Sequence, residues 1–172
     1  MKKVFRMMAI LAVTGGMVFA SCGNSGTGDG NDGEPTGSYV DLGLPSGTKW
    51  KDVNEANAAD TEYDFYTYDE AIAAFGDKLP TKEQWEELKA ECQWSWTGSG
   101  YKVTGSNGNS ISLPAAGYRG CNGGVGVGPL GLYWSSTSKD SDLAWRLFFS
   151  LGSVRMGNIG RCDGFSVRLV QD

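Results

Sequence analysis

From Gln93 onward the large apolar residues fall at every second position: Trp94 and Trp96, Tyr101 and Val103, Ile111 and Leu113, and later Trp145, Leu147 and Phe149. A period of two sends alternate side chains to opposite faces of an extended chain, so this part of the molecule reads as antiparallel sheet. Gly98-Ser99-Gly100 and Ser106-Asn107-Gly108 divide the first three runs, and the Asn-Gly step suits the positive backbone angles of a tight hairpin. A glycine-rich loop follows, Gly117 to Gly131. Further strands are expected over Leu132 to Ser136, Ala144 to Ser150 and Phe165 to Val170, with a shorter one near Val154. The chain has 26 glycines among 172 residues, well above the usual ~7% share, which agrees with many turns and short strands.

The preceding half has a different pattern. Tyr39 to Leu42 and Lys49 to Val53 read as short strands around the turn Leu44-Pro45-Ser46-Gly47. Asp69 to Phe75 places acidic residues at the front, Ile72 and Phe75 on one stripe and Gly76 at the end, which predicts a helix of two turns. A second helix follows Pro80, where Thr81 and Gln84 form a capping box and Trp85, Leu88 and Cys92 share a face. Glu83, Glu86 and Glu87 face water. Adjacent helical residues point ~100° apart, so Glu86 and Glu87 do not make a catalytic carboxylate pair. The fold class is α+β, two helices in the N-terminal half followed by short antiparallel strands.

The N-terminus sets the compartment. Lys2, Lys3 and Arg6 lead into an apolar run that stops at Phe19-Ala20-Ser21-Cys22, the pattern of an export signal too short to span a membrane. A cysteine placed right after the small residues is the acceptor in the lipoprotein class of signal, so residues 1–21 are expected to be removed and Cys22 to carry the lipid. The chain is then anchored to a membrane through lipid alone. Cleavage leaves 151 residues with 12 basic side chains against 20 acidic, a net charge of −8. Such a chain repels phosphate backbones, which argues against nucleic acid as a partner. Residues 22–37 hold no large apolar side chain and read as a flexible tether; one folded domain covers 38–172.

Several chemistries are excluded. There is no histidine, which removes Ser-His-Asp and Cys-His catalysis and the commonest zinc ligand. Asp29-Gly30-Asn31-Asp32-Gly33 is one residue short of a calcium loop, with Val40 in the place of the closing carboxylate. Gly126 to Gly131 spells the dinucleotide fingerprint, but Leu132 to Thr137 continues as strand, so no helix opens to hold a pyrophosphate. The reading calls for no metal and no cofactor. Three cysteines remain after Cys22, which in an oxidising compartment means one disulfide and one thiol. Cys121 and Cys162, both in glycine-flanked loops, are the preferred pair. Cys92 is a buried small hydrophobe on the stripe of Trp85.

Five segments, in order, resemble a known family: Tyr39 to Gly47, Leu79 to Trp85, Leu113 to Arg119, Tyr133 to Thr137, and Gly164 to Arg168. They are similar to the major paralogous domain of Fibrobacter succinogenes and its relatives among Bacteroides-type lipoproteins. The resemblance covers Tyr39 to Asp172 and implies a C-type-lectin-like fold related to the formylglycine-generating, sulfatase-modifying domain. It implies first and last strands brought together and ligand-binding loops and strands in the C-terminal half. The enzyme relatives use two cysteines four or five residues apart, and Cys162 has no such neighbour. The calcium-holding Glu-Pro-Asn, Gln-Pro-Asp and Trp-Asn-Asp triplets of sugar-binding relatives are also missing.

In Ala144 to Ser150, alternation puts Trp145, Leu147 and Phe149 on one face and Arg146, Phe148 and Ser150 on the other. With the first set in the core, Arg146 and Phe148 are expected outside, an aromatic beside an arginine being the composition of a binding surface. Arg155, Asn158, Ile159 and Asp163 adjoin. The resemblance extends to variable proteins of diversity-generating retroelements, whose exposed positions arise from mutated adenine-containing codons. It implies that Leu143, Arg146, Phe148, Ser150, Leu151, Arg155, Ile159, Gly160 and Asp163 vary within a frame of Trp134, Trp145, Phe149 and Val167. The function expected is a non-enzymatic, lipid-anchored cell-envelope protein at the outer membrane, exposed outward in the manner of an adhesin, with a protein or glycan ligand; the alternative is an enzyme of the formylglycine-generating type or another hydrolase on the same fold. Metabolic labelling with a palmitate analogue should mark the chain and vanish in Cys22→Ala; labelling retained in that variant would refute the anchor.

Overall fold

The computed structural model describes residues 37–60 and 62–172. The signal segment, the lipidation residue Cys22 and the tether up to residue 36 lie outside the described residues. Within them the chain forms β1 (Tyr39–Asp41), β2 (Lys49–Lys51), α1 (Tyr68–Phe75), α2 (Lys82–Glu91), β3 (Gln93–Trp96), β4 (Gly100–Thr104) and β5 (Ser110–Pro114). It continues through β6 (Tyr118–Arg119), β7 (Val125–Gly126), β8 (Gly131–Ser138), β9 (Leu143–Ser150), β10 (Ser153–Gly160) and β11 (Val170–Gln171). The architecture is mixed and strand-rich, of the α+β class.

Both helices start on a capping box. The Thr67 hydroxyl accepts from the Glu70 backbone N–H while the Glu70 carboxylate accepts from Thr67 N–H, and Thr81 and Gln84 repeat the exchange. Each box satisfies two backbone donors that a helix start leaves unpaired. Gly76, at φ 54°, stops α1 in a conformation that only glycine adopts at little cost. The buried faces are short: Tyr68 and Ala71 on α1, Trp85 and Leu88 on α2.

Every strand ladder is antiparallel. β1, β2 and β11 form one sheet, in which Val40 and Val170 both lie opposite Trp50, so the first and last strands flank β2. β3, β4 and β5 form a meander, and β8, β9 and β10 form the third sheet in the order β10-β9-β8. This third sheet divides the core. Tyr133, Leu147 and Phe149 pack with Trp50, Trp85, Val103 and Leu113, whereas Leu132, Trp134 and Ala144 pack with Tyr68, Leu79, Phe165 and Val167. A strand covered on both faces shows no alternation, and Gly131 to Ser135 are five buried residues in succession. The Trp134 indole donates to the Tyr66 carbonyl at 2.7 Å, and the Trp85 indole donates to the Trp134 carbonyl at 3.2 Å.

Arg168 is 1% exposed yet charged, and its guanidinium is spent on neighbours: Lys51 O at 2.7 Å, Ser112 O at 2.7 Å and Asn54 Oδ1 at 2.6 Å. The Asn54 amide donates to Tyr133 Oη, which donates to Pro114 O at 2.8 Å. Burial pushes the Tyr133 phenol up to about 12, with Arg168 and Asn54 pulling the other way.

Three expectations need correction. The short strand near Val154 is a full eight-residue partner of β9, in register from Ser153 opposite Ser150 to Gly160 opposite Leu143, so the backbone pairing extends through the glycines that side-chain pattern alone does not mark as strand. Phe165 to Val170 is not one strand: Phe165 bridges to Tyr66, Ser166 bridges to Tyr133, and only Val170–Gln171 joins a ladder. Trp145 is half-buried rather than core, because the polar start of α2 covers its side of the sheet and Lys82 Nζ sits 4.9 Å over the ring. Trp134→Ala should therefore cost ~3–5 kcal/mol in urea unfolding, as for a fully buried aromatic. Trp145→Ala should cost only ~1 kcal/mol, the scale of a partly exposed cation–π contact. Equal losses would refute this assignment.

Candidate binding face

The register of β9 against β10 sorts the C-terminal residues by face. Ala144, Arg146, Phe148 and Ser150 lie opposite Ile159, Gly157, Arg155 and Ser153, and these eight share one side of the sheet. Leu143, Trp145, Leu147 and Phe149 lie opposite Gly160, Asn158, Met156 and Val154 on the other. The sequence-derived ligand set is therefore not one surface. Arg146, Phe148, Ser150, Arg155 and Ile159 come together; Leu143, Asn158 and Gly160 belong to the reverse side, where Asn158 Oδ1 accepts from Lys139 Nζ at 3.4 Å. The split follows from period two itself, since residues an odd number apart cannot share a face in a regular strand.

Arg146 and Phe148 are half-buried, not outside as expected. Their face is partly covered by the second core cluster, against which Phe148 and Ile159 pack. The Phe148 ring nevertheless carries two cations: Arg155 Cζ lies 4.7 Å from its centroid and Arg146 Cζ 5.2 Å, with Arg146 also 5.9 Å from Phe165. Arg155 is exposed. Neither guanidinium forms an ion pair among the described residues. Arg146 Nε is buried without a hydrogen-bond partner. Its pKa is pulled down, first by burial and then by the Arg155 charge, with Asp163 opposing.

Gly157 completes the group. It lies opposite Arg146, and a Cβ at this position would stand 4.0 Å from Arg146 Nη1 with nothing else near. The sheet thus has a notch one side chain wide, floored by Gly157 and bordered by the Arg146 guanidinium, with Arg155 two residues back on the same side. Sequence reading passed over Gly157, although a glycine inside an alternating strand is itself a sign of close approach from another group.

The surroundings are fixed at both ends. Leu151, 68% exposed, sits on the β9–β10 turn, which Tyr101 holds by donating its hydroxyl to Ser150 O and accepting from Gly152 N–H at 3.0 Å. The loop 117–131 starts beside Gly131, where Gly117 N–H donates to Leu130 O. A disulfide between Cys121 and Cys162 ties that loop to the segment after β10. Asp163 Oδ1 accepts the Cys121 N–H at 3.0 Å, and Arg119 pairs with Gly164 through two backbone hydrogen bonds. Both sulfurs being bonded, neither is a thiol nucleophile. Cys92 is buried and free, its thiol pushed up to about 11 by burial and then by Glu91 and Glu87, so it is unreactive near neutrality.

No family model, curated protein or solved structure matches this chain.

Proposed function

We propose that this chain is a lipid-anchored ligand-binding protein of the cell envelope, held at the outer membrane through Cys22 and exposed outward. Its domain over residues 38–172 is read as a C-type-lectin-like fold of the major paralogous type, without catalytic activity. Its ligand is a protein or glycan, met by the β9–β10 face and the Leu151 turn. The observation that carries this reading is the stack of Arg146 and Arg155 on Phe148, two cations without an ion-pair partner among the described residues, on an otherwise acidic chain. Aromatic residues and arginine are the side chains that dominate the energetics of recognition surfaces. The meeting of β1 with β11 through β2, and the placement of two helices before the sheets, support the lectin-like reading.

Two tests apply. On a combined protein and glycan array, Arg155→Ala with Leu151→Asn should abolish the hits of the parent chain while leaving its melting temperature within a few degrees, as exposed substitutions do. Hits unchanged in that variant, but lost on changing the exposed Lys102 of β4, would place recognition elsewhere. The C-terminal region is further read as diversified by a retroelement, from the mixed residue types at Leu143, Arg146, Phe148, Ser150, Leu151, Arg155, Ile159, Gly160 and Asp163. Sequencing the locus should show codons ending in C or T at these positions, with an adenine-rich template copy and a reverse transcriptase gene nearby. Several codons ending in A or G would sink that reading.

A further inference from the structure

We infer that the notch formed by Arg146, Gly157, Arg155 and Phe148 binds a carboxylate side chain of a partner protein. The inference rests on the β9–β10 face being the recognition surface and names what it recognises. Two guanidiniums held close against one ring repel each other, and neither forms an ion pair with a carboxylate among the described residues. Asp163 is the acid whose charge reaches Arg146, but its Oδ1 is engaged by the Cys121 N–H. The arrangement is a cationic site lacking its anion. Guanidinium presents a planar fork that fits a carboxylate through two parallel hydrogen bonds, a geometry that an ammonium cannot give.

Gly157 supplies the space. Its backbone needs no left-handed conformation, and in the open position opposite Arg146 any β-branched residue would suit the strand better. A glycine kept there leaves room above β10 for an incoming group to reach Arg146, whose Nε has no partner of its own.

Protein is favoured over acidic glycan by what flanks the notch. Phe148 has its ring occupied by the guanidiniums, so it does not offer a free aromatic platform for a sugar. The exposed neighbour on the held turn is Leu151, an aliphatic side chain suited to an apolar contact beside the ion pair.

The test uses the mature, detergent-solubilised full chain and two fluorescent probes of equal charge, an oligoglutamate peptide and an oligogalacturonate. The peptide should bind more tightly, and added salt should weaken it. Affinity should fall at least about tenfold in Arg146→Gln with Arg155→Gln, the loss expected for a charge-assisted contact. Gly157→Thr should cause a similar fall while melting no lower than the parent, a result that a merely structural role for the notch would not give. If threonine disturbs folding, Gly157→Ala replaces it, and Lys102→Gln serves as a remote charge control that should leave binding unchanged. Tighter binding of oligogalacturonate overturns the protein assignment. Peptide binding that ignores all notch variants, or falls equally in Lys102→Gln, overturns the site. An array ligand lost on changing Leu151 and Arg155, together with no peptide binding, overturns this inference and leaves the recognition surface standing; loss of both defeats both.

Discussion

The Arg168 guanidinium is the join on which the arrangement depends. It reaches the last carbonyl of β2, the Asn54 side chain just beyond it and a carbonyl of β5, joining its own segment to two stretches of chain far from it in sequence. A cation buried this deeply is tolerable only when its donors are matched, and the same matching makes the segment around it hard to move. That segment includes Phe165 and Ser166, which hold Tyr66 and β8 on their two edges. The central sheet, and with it the side on which Arg146 and Phe148 stand, is positioned from there.

The sheet is asymmetric in what covers it. Near β8 both sides are apolar and closed, so Trp134 and Tyr133 point opposite ways into two clusters. Toward β10 the cover ends, and no residue of that strand is fully buried, with Arg155 exposed. A rigid base with an open margin is what a recognition surface needs, because side chains held by packing lose little freedom when a ligand arrives. The disulfide adds to this by fixing loop 117–131 against the segment after β10.

How far the sequence could be read varies with the physics involved. Local signals were clear: Thr81 with Gln84 and Gly76 after Phe75 mark helix ends through contacts within a single turn. The meander from Gln93 to Pro114 also followed its alternation. Alternation failed where both faces are buried, since Leu132 to Ser135 carry no period, and it misplaced Trp145, whose burial depends on what α2 brings across from another part of the chain. The ligand residues were collected by residue type, and type does not report the side of a strand, so Asn158 and Gly160 were grouped with Arg155 although the register parts them. The notch was missed because its defining member is a residue with no side chain.

Val40 and Val170 both lie opposite Trp50, so the first and last strands flank β2 and, each antiparallel to it, run parallel to one another. A domain of this connectivity can be spliced as a unit into the loop of another protein without stretching either. The chain enters at the Lys51 end of β2 and leaves at its Lys49 end, so the two ends lie within one small sheet but on its opposite edges and ends. The architecture is thus a module in the topological sense, in which both ends are gathered on one three-stranded sheet and the β9–β10 face is built from residues between them.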